Sequence, residues 1–250
     1  MIGNKEALYE KALEDLGSAY LNNPVYAEIV HKLANLYQIR GQKYQANPEN
    51  VGKLDFLKAY NLCTQAISKY PNSIGASYCK NLQSSLLRKE LQLQIEKVNL
   101  PNQPILTSIS YRNVSKIYLK VVEIGYGAQD ELIGKSQQQI VNWLNQQKTV
   151  QQKTLDLPQE GDYRQHRTET GLDKLPFGFY GVLIANNADF IGEGGAVGYT
   201  TTHISSLANW SRTTGQMQPE MVIVDRATGA PLAGVIAELY TRKYLSLIHI

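Results

Sequence analysis

Residues Phe179 to Ile184 constrain the fold of this chain more than any other stretch. Tyr180, Val182 and Ile184 share one parity, while Phe179, Gly181 and Leu183 share the other. A strand apolar on both parities needs cover on both faces, as at the centre of a sandwich. It closes a longer segment, Leu155 to Ala185, which reads as a strand, a polar excursion, a Pro-Phe-Gly turn and this buried strand.

Ahead of that segment the hydrophobic period changes once. From Lys5 to Arg88 it is helical. Leu8, Ala12, Leu13, Leu16 and Tyr20 share one face of a first helix. Asn23 is placed to cap a second, with Pro24 at its first position, where no N–H is needed. That helix carries Val25, Ile29, Leu33, Leu36 and Tyr37 and is expected to stop at Gly41. A third carries Phe56, Tyr60, Cys63, Ile67 and Tyr70 and breaks at Pro71. Ser73 caps a fourth, with Ala76, Cys79, Leu82 and Leu86 inward. Short turns between short helices make antiparallel hairpins. Leu33, Ala34, Tyr37, Gly41, Tyr44, Ala59, Ala66, Ile67 and Pro71 resemble the landmarks of a tetratricopeptide unit, and a plain helical bundle explains the same residues.

At Glu90 the period becomes two. Leu91, Leu93 and Ile95 form a first strand, and Ile105, Thr107, Ile109 and Tyr111 a second. Arg112-Asn113 is expected to turn that strand into Ile117, Leu119 and Val121 as an antiparallel hairpin. Ser136 to Gln147 reads as a short helix at the sandwich edge, and Thr149 to Leu157 returns to strand. A glycine-rich loop after Ile184 leads to a β-branched run, Tyr199 to Ile204, and a strand end near Trp210. Ser211–Pro219 reads as a polar linker, followed by a turn at Asp225–Gly229 and a strand through Ile236, Glu238 and Tyr240. The expected class is α+β and multi-domain: antiparallel helices over 1–90, an antiparallel β-sandwich over 91–212, and the start of a second Ig-like sandwich over 213–250.

Composition narrows the function classes. Basic residues number 25 and acidic ones 22, interleaved, for a formal charge of +3, so nucleic acid is not an expected partner. No window approaches the roughly 18 apolar residues of a transmembrane segment. The first residues form no signal peptide and run straight into a helix, and both ends read as cut from a longer chain, so a missing export signal says nothing of compartment.

No catalytic, cofactor-binding or metal-binding constellation emerges. His31, His166, His203 and His249 lie in four different elements without metal-ligand spacing. His166 and Glu169 fall on opposite faces of an extended segment, which makes them surface residues rather than an acid–base pair. Gly192, Gly194, Gly195 and Gly198 miss the phosphate-loop spacing by one residue. Cys63 and Cys79 each lie eight residues from Pro71, equidistant from the turn and on apolar faces. They are either a disulfide, which implies an oxidising compartment, or two buried thiols.

The order of parts resembles the N-terminal region of bacterial alpha-2-macroglobulin family proteins, in the large forms of Bacteroides-like bacteria. The resemblance is carried by the helical lead, by Tyr111-Arg112-Asn113, by Leu175-Pro176-Phe177-Gly178-Phe179-Tyr180 and by Asp225 to Tyr240. It implies macroglobulin-type sandwiches, location in the cell envelope (periplasm or outer membrane) and endopeptidase inhibition by protease trapping. It also implies that loops such as Ser211–Pro219 act as hinges. The family's Cys-x-Glu-Gln thioester motif matches neither Cys63-Thr64-Gln65-Ala66 nor Cys79-Lys80-Asn81-Leu82, so bait and thioester would lie downstream of Ile250. The implied partners are the other domains of the full-length chain and target proteases. The competing reading is a cell-surface adhesion or glycan-binding module with a helical docking platform. An enzyme is not expected, and neither is a cofactor.

Overall fold

The computed structural model describes residues 4–45, 52–192, 196–213 and 219–236. Four helices come first: α1 (Asn4–Ala19), α2 (Tyr26–Gln42), α3 (Asp55–Lys69) and α4 (Ile74–Leu87). α4 starts at its expected cap, Ser73, whereas α2 starts at Tyr26, after Val25 and without a side-chain cap, so Asn23 closes the turn ahead of the helix instead. Asn23 Oδ1 accepts a hydrogen bond from the Val25 N–H at 3.0 Å, and Ser73 Oγ from the Ala76 N–H at 3.1 Å. Val30, Leu33 and Tyr37 of α2, Phe56, Ala59 and Cys63 of α3, and Cys79, Leu82 and Leu86 of α4 share one core. Small residues let α4 approach α2 closely: a Cβ on Gly75 would sit 2.3 Å from the Ala27 carbonyl carbon.

The first helix departs from its expected face. Leu8, Leu16 and Tyr20 are 66%, 46% and 45% exposed, and of the five apolar residues assigned inward Leu13 is the one that is buried. Polar bonds hold α1 instead. Tyr37 Oη donates to Glu10 Oε1 at 2.6 Å, and Arg40 Nη1 donates to Glu10 Oε2 at 2.8 Å. The same guanidinium makes a two-pronged pair with Asp55, buried at the start of α3, so one arginine ties three helices together.

The sandwich is built from β1 (Glu90–Ile95), β2 (Val98–Asn99), β3 (Ile105–Arg112), β4 (Lys116–Ile124), β5 (Thr149–Asp156), β6 (His166–Leu172), β7 (Gly178–Ala185) and β8 (Val197–Ile204), with α5 (Gln137–Asn145) between β4 and β5. One sheet has the order β1-β3-β6, and the facing sheet the order β2-β8-β7-β4-β5. Pairing is antiparallel except between β2 and β8, where Val98 and Asn99 run parallel to His203 and Ile204. The arrangement is α+β, as the change of period implies.

The two parities of β7 find two cores. Tyr180, Val182 and Ile184 face the space between the sheets, against Ile105 and Ile109 of β3 and Ile117, Leu119 and Val121 of β4. Phe179, Leu183 and Ala185 face outward, under Ile140, Val141 and Leu144 of α5. The helix therefore lies on the face of the larger sheet, not at the sandwich edge. Gly181 permits this contact, since a Cβ there would meet Leu144 Cδ2 at 2.6 Å. Each large apolar side chain covered this way contributes about 1.5–3 kcal/mol.

The expected hairpin between β3 and β4 does not form. β3 pairs with β1 and β6, and β4 with β5 and β7, so residues 113–115 arch from one sheet to the other. β4 is apolar on both faces, with Leu119 inward and Val122 and Ile124 under α5. That pattern suits the interior of the helix-covered sheet, while β3 has one buried face.

The presumed linker also changes role. β9 (Leu207–Thr213) and β10 (Pro219–Asp225) pair antiparallel as a separate two-stranded sheet. The described ends of Ser211–Pro219 are partners: Ser211 faces Met221, and Thr213 faces Pro219. The turn at Asp225–Gly229 forms, with Asp225 Oδ1 accepting from Ala227 N–H, Thr228 N–H and Thr228 Oγ1. Glu238 and Tyr240 lie outside the described residues.

Candidate functional site

The end of a helix leaves carbonyls that need donors from elsewhere. At the end of α4 the sandwich supplies them. Asn113 Nδ2 donates to Leu86 O at 2.7 Å and to Arg88 O at 3.0 Å. Arg112 donates through Nη2 to Ser85 O and through Nε to Arg88 O, both at 3.3 Å, and its Nη2 also binds Glu90 Oε1 at 2.7 Å. Asn113 sits in the left-handed region at φ 53°, a conformation asparagine tolerates better than most residues. The arch between the sheets thus doubles as the cap of the last helix.

A second attachment comes from the polar excursion between β5 and β6. Tyr163 packs on Tyr60 of α3, with ring centroids 4.9 Å apart, and Arg164 lies 4.0 Å over the Tyr44 ring. Lys53 reaches Glu160 at 3.7 Å. The loop is anchored on its own side by Gln159 Nε2, which donates to Val114 O at 2.8 Å. Between the two attachments lies a cavity of about 280 Å³ lined by Tyr111, Asn113, Glu160, Asp162, Arg164 and His166, among others. Burial, and then the charges of Glu160 and Asp162, push the Tyr111 phenol above its ordinary range.

The remaining candidates separate. His166 Nε2 lies 2.8 Å from Asp162 Oδ1, so its partner is Asp162 and not Glu169, which is exposed on β6. His31 packs against Tyr78 and His203 stacks on Phe179 at 4.4 Å. His249, Gly194 and Gly195 fall outside the described residues. Cys63 and Cys79 do meet: both are fully buried and their thiols share a hydrogen bond. That bond, then burial, pushes the Cys63 thiol up, while the same bond pulls the Cys79 thiol down, and both are free thiols in this structure.

Sequence reasoning missed the junction. Arg112-Asn113 read as an ordinary turn, and Gln159 to Arg164 fell within the polar excursion with no role of its own. A signal was present: a loop that carries tyrosine and arginine beside Gly161 has little reason to be merely solvated.

No family model and no curated protein matches the chain. Among solved structures, part of the chain is similar to native alpha-2-macroglobulin from Escherichia coli spanning domains MG0-NIE-MG1, at 13% identity and a TM-score of 0.38 over 58% of this chain. The chain spans 48% of that structure. Escherichia coli alpha-2-macroglobulin activated by porcine elastase is similar at 12% identity and a TM-score of 0.31, over 56% of this chain and 15% of the other. A CARDB domain from Pyrococcus furiosus, solved with di-metal ions, is similar at 9% identity and a TM-score of 0.29, over 47% and 88%. With TM-scores of 0.29 to 0.38, none of the three superpositions equates the folds.

Proposed function

We propose that this chain is a scaffold segment of a bacterial alpha-2-macroglobulin-type protein of the cell envelope, with a role in endopeptidase inhibition by protease trapping. It is not an enzyme in this reading. Bait and thioester belong to other parts of the full-length chain, and its partners are those domains and, through them, the trapped protease. The observation that carries the reading is the fastened junction. Tyr111-Arg112-Asn113, one of the motifs behind the family resemblance, bonds the helical lead to the sandwich through the carbonyls of α4. Trapping needs parts that pass on a rearrangement as rigid bodies, and close-packed cores joined by many bonds do this. Cys63 and Cys79 are free thiols in this structure, and in this setting, an oxidising compartment, the two would close to a disulfide. No helix among the described residues is long and apolar enough to cross a membrane.

The test is to export the full-length reading frame, mix it with an endopeptidase, and assay the mixture on a protein substrate and on a short peptide. Trapping removes activity on the protein and spares activity on the peptide. Equal activity on both, with and without the inhibitor, contradicts the proposal. Intact mass of the same preparation without reductant should be two hydrogens light, and free thiols at Cys63 and Cys79 would remove the oxidising-compartment argument.

A further inference from the structure

Three side chains at the junction cavity form a cluster that the scaffold reading does not explain. Glu160, Asp162 and His166 each offer one ligand atom, and these atoms lie within 4.8 Å of one another. Asp162 is 3% exposed, and its Oδ1 accepts from the Arg164 N–H at 3.0 Å and pairs with His166 Nε2 at 2.8 Å. Its Oδ2 is buried without a hydrogen-bond partner, as is Arg164 Nη1 on the same cavity. Buried carboxylate oxygens are nearly always satisfied, so this one marks a missing donor or cation.

We propose that Glu160, Asp162 and His166 bind a divalent transition-metal ion such as zinc. Ligands at roughly 2.0–2.1 Å from zinc stand about 3.3 Å apart in a tetrahedron. Side-chain rotation gathers this set to that spacing, because Glu160 is exposed, its pair with Lys53 is a solvated one at 3.7 Å, and the cavity opens beside it. Coordination through Nε2 replaces the hydrogen bond to Oδ1, with the imidazole proton passing to Nδ1. An imidazole with two carboxylates selects zinc-like ions over calcium or magnesium, which prefer all-oxygen shells. Lys53 beside Glu160, and Lys89 and Arg164 around the cavity, oppose a cation and hold the affinity down. The ion would fix the loop that carries Tyr163 and so stiffen the junction.

Zinc sulfate titrated calorimetrically into the purified chain should bind one to one, and calcium at the same concentration should not. In Asp162→Asn and His166→Gln the affinity should fall by more than the ~10–100-fold that second-shell changes cause. A readout independent of variant folding is the imidazole nitrogen spectrum of the unaltered chain: zinc should move the His166 resonances and leave those of His31 and His203 in place. Absence of one-to-one binding, zinc binding that survives both substitutions, or unmoved His166 resonances would each overturn the site.

Discussion

At Gly75 the backbone of α2 leaves no room for even a methyl group. The nearest atoms to a Cβ there are backbone, Ala27 C and Glu28 N both at 2.3 Å, and backbone cannot rotate aside. Gly75→Ala should destabilise the helical part by about 1–3 kcal/mol or more, the usual range for overpacking. Gly171→Ala in β6, where nothing lies within 4 Å, should be close to neutral. Chemical denaturation followed by helical circular dichroism compares the two, and equal effects would contradict the close approach of α4 to α2. Residue-level legibility was uneven for a physical reason. The Ser73 cap and the turn closed by Asn23 are local chemistry and could be read from neighbouring residues. The approach at Gly75 and the Arg40 network depend on residues far along the chain, and nothing local encodes them.

Among the elements, the decisive event is that β3 and β4 separate into different sheets. A hairpin would have left α4 without donors for Ser85 O, Leu86 O and Arg88 O from this turn; the arch delivers Arg112 and Asn113 to them. Substitution can divide the two roles of Asn113. Asn113→Ala loses two hydrogen bonds and places a Cβ without side-chain compensation at φ 53°, a combined cost of about 2–3 kcal/mol. Asn113→Gly loses the bonds and relieves the backbone, so it should cost about 1 kcal/mol less than alanine. Urea midpoints for the two variants check this, and an alanine variant as stable as the parent would deny the cap. Alternation along Ile105, Thr107, Ile109 and Tyr111 was readable, and all four are buried. Partnership was not, because a period of two says which face a residue takes and not which strand lies beside it. The double parity of β7 was the exception: only cover on both faces suits it, and the second sheet and α5 supply that cover.

At the scale of the molecule, the helical part and the sandwich are joined by polar and aromatic contacts. The helical core is separate from the two clusters of the sandwich, and Tyr163 from the sandwich loop packs against the helical one. Around them sit the capped end of α4, the Arg164–Tyr44 stack and the Glu160–Lys53 pair. The change of period at Glu90 made the two parts legible; the junction was not, because its residues are polar and lie in loops that no periodicity describes. The hairpin of β9 and β10 touches the sandwich through Arg226, whose Nη2 donates to Val98 O at 2.8 Å. The proposed scaffold role depends on the helices and the sandwich behaving as one piece. Differential scanning calorimetry of the chain measures that directly. The unaltered chain should unfold in a single transition spanning both parts, and the Arg112→Ala, Asn113→Ala double variant should split it into two. Two resolved transitions in the unaltered chain, unchanged by the double substitution, would contradict the account.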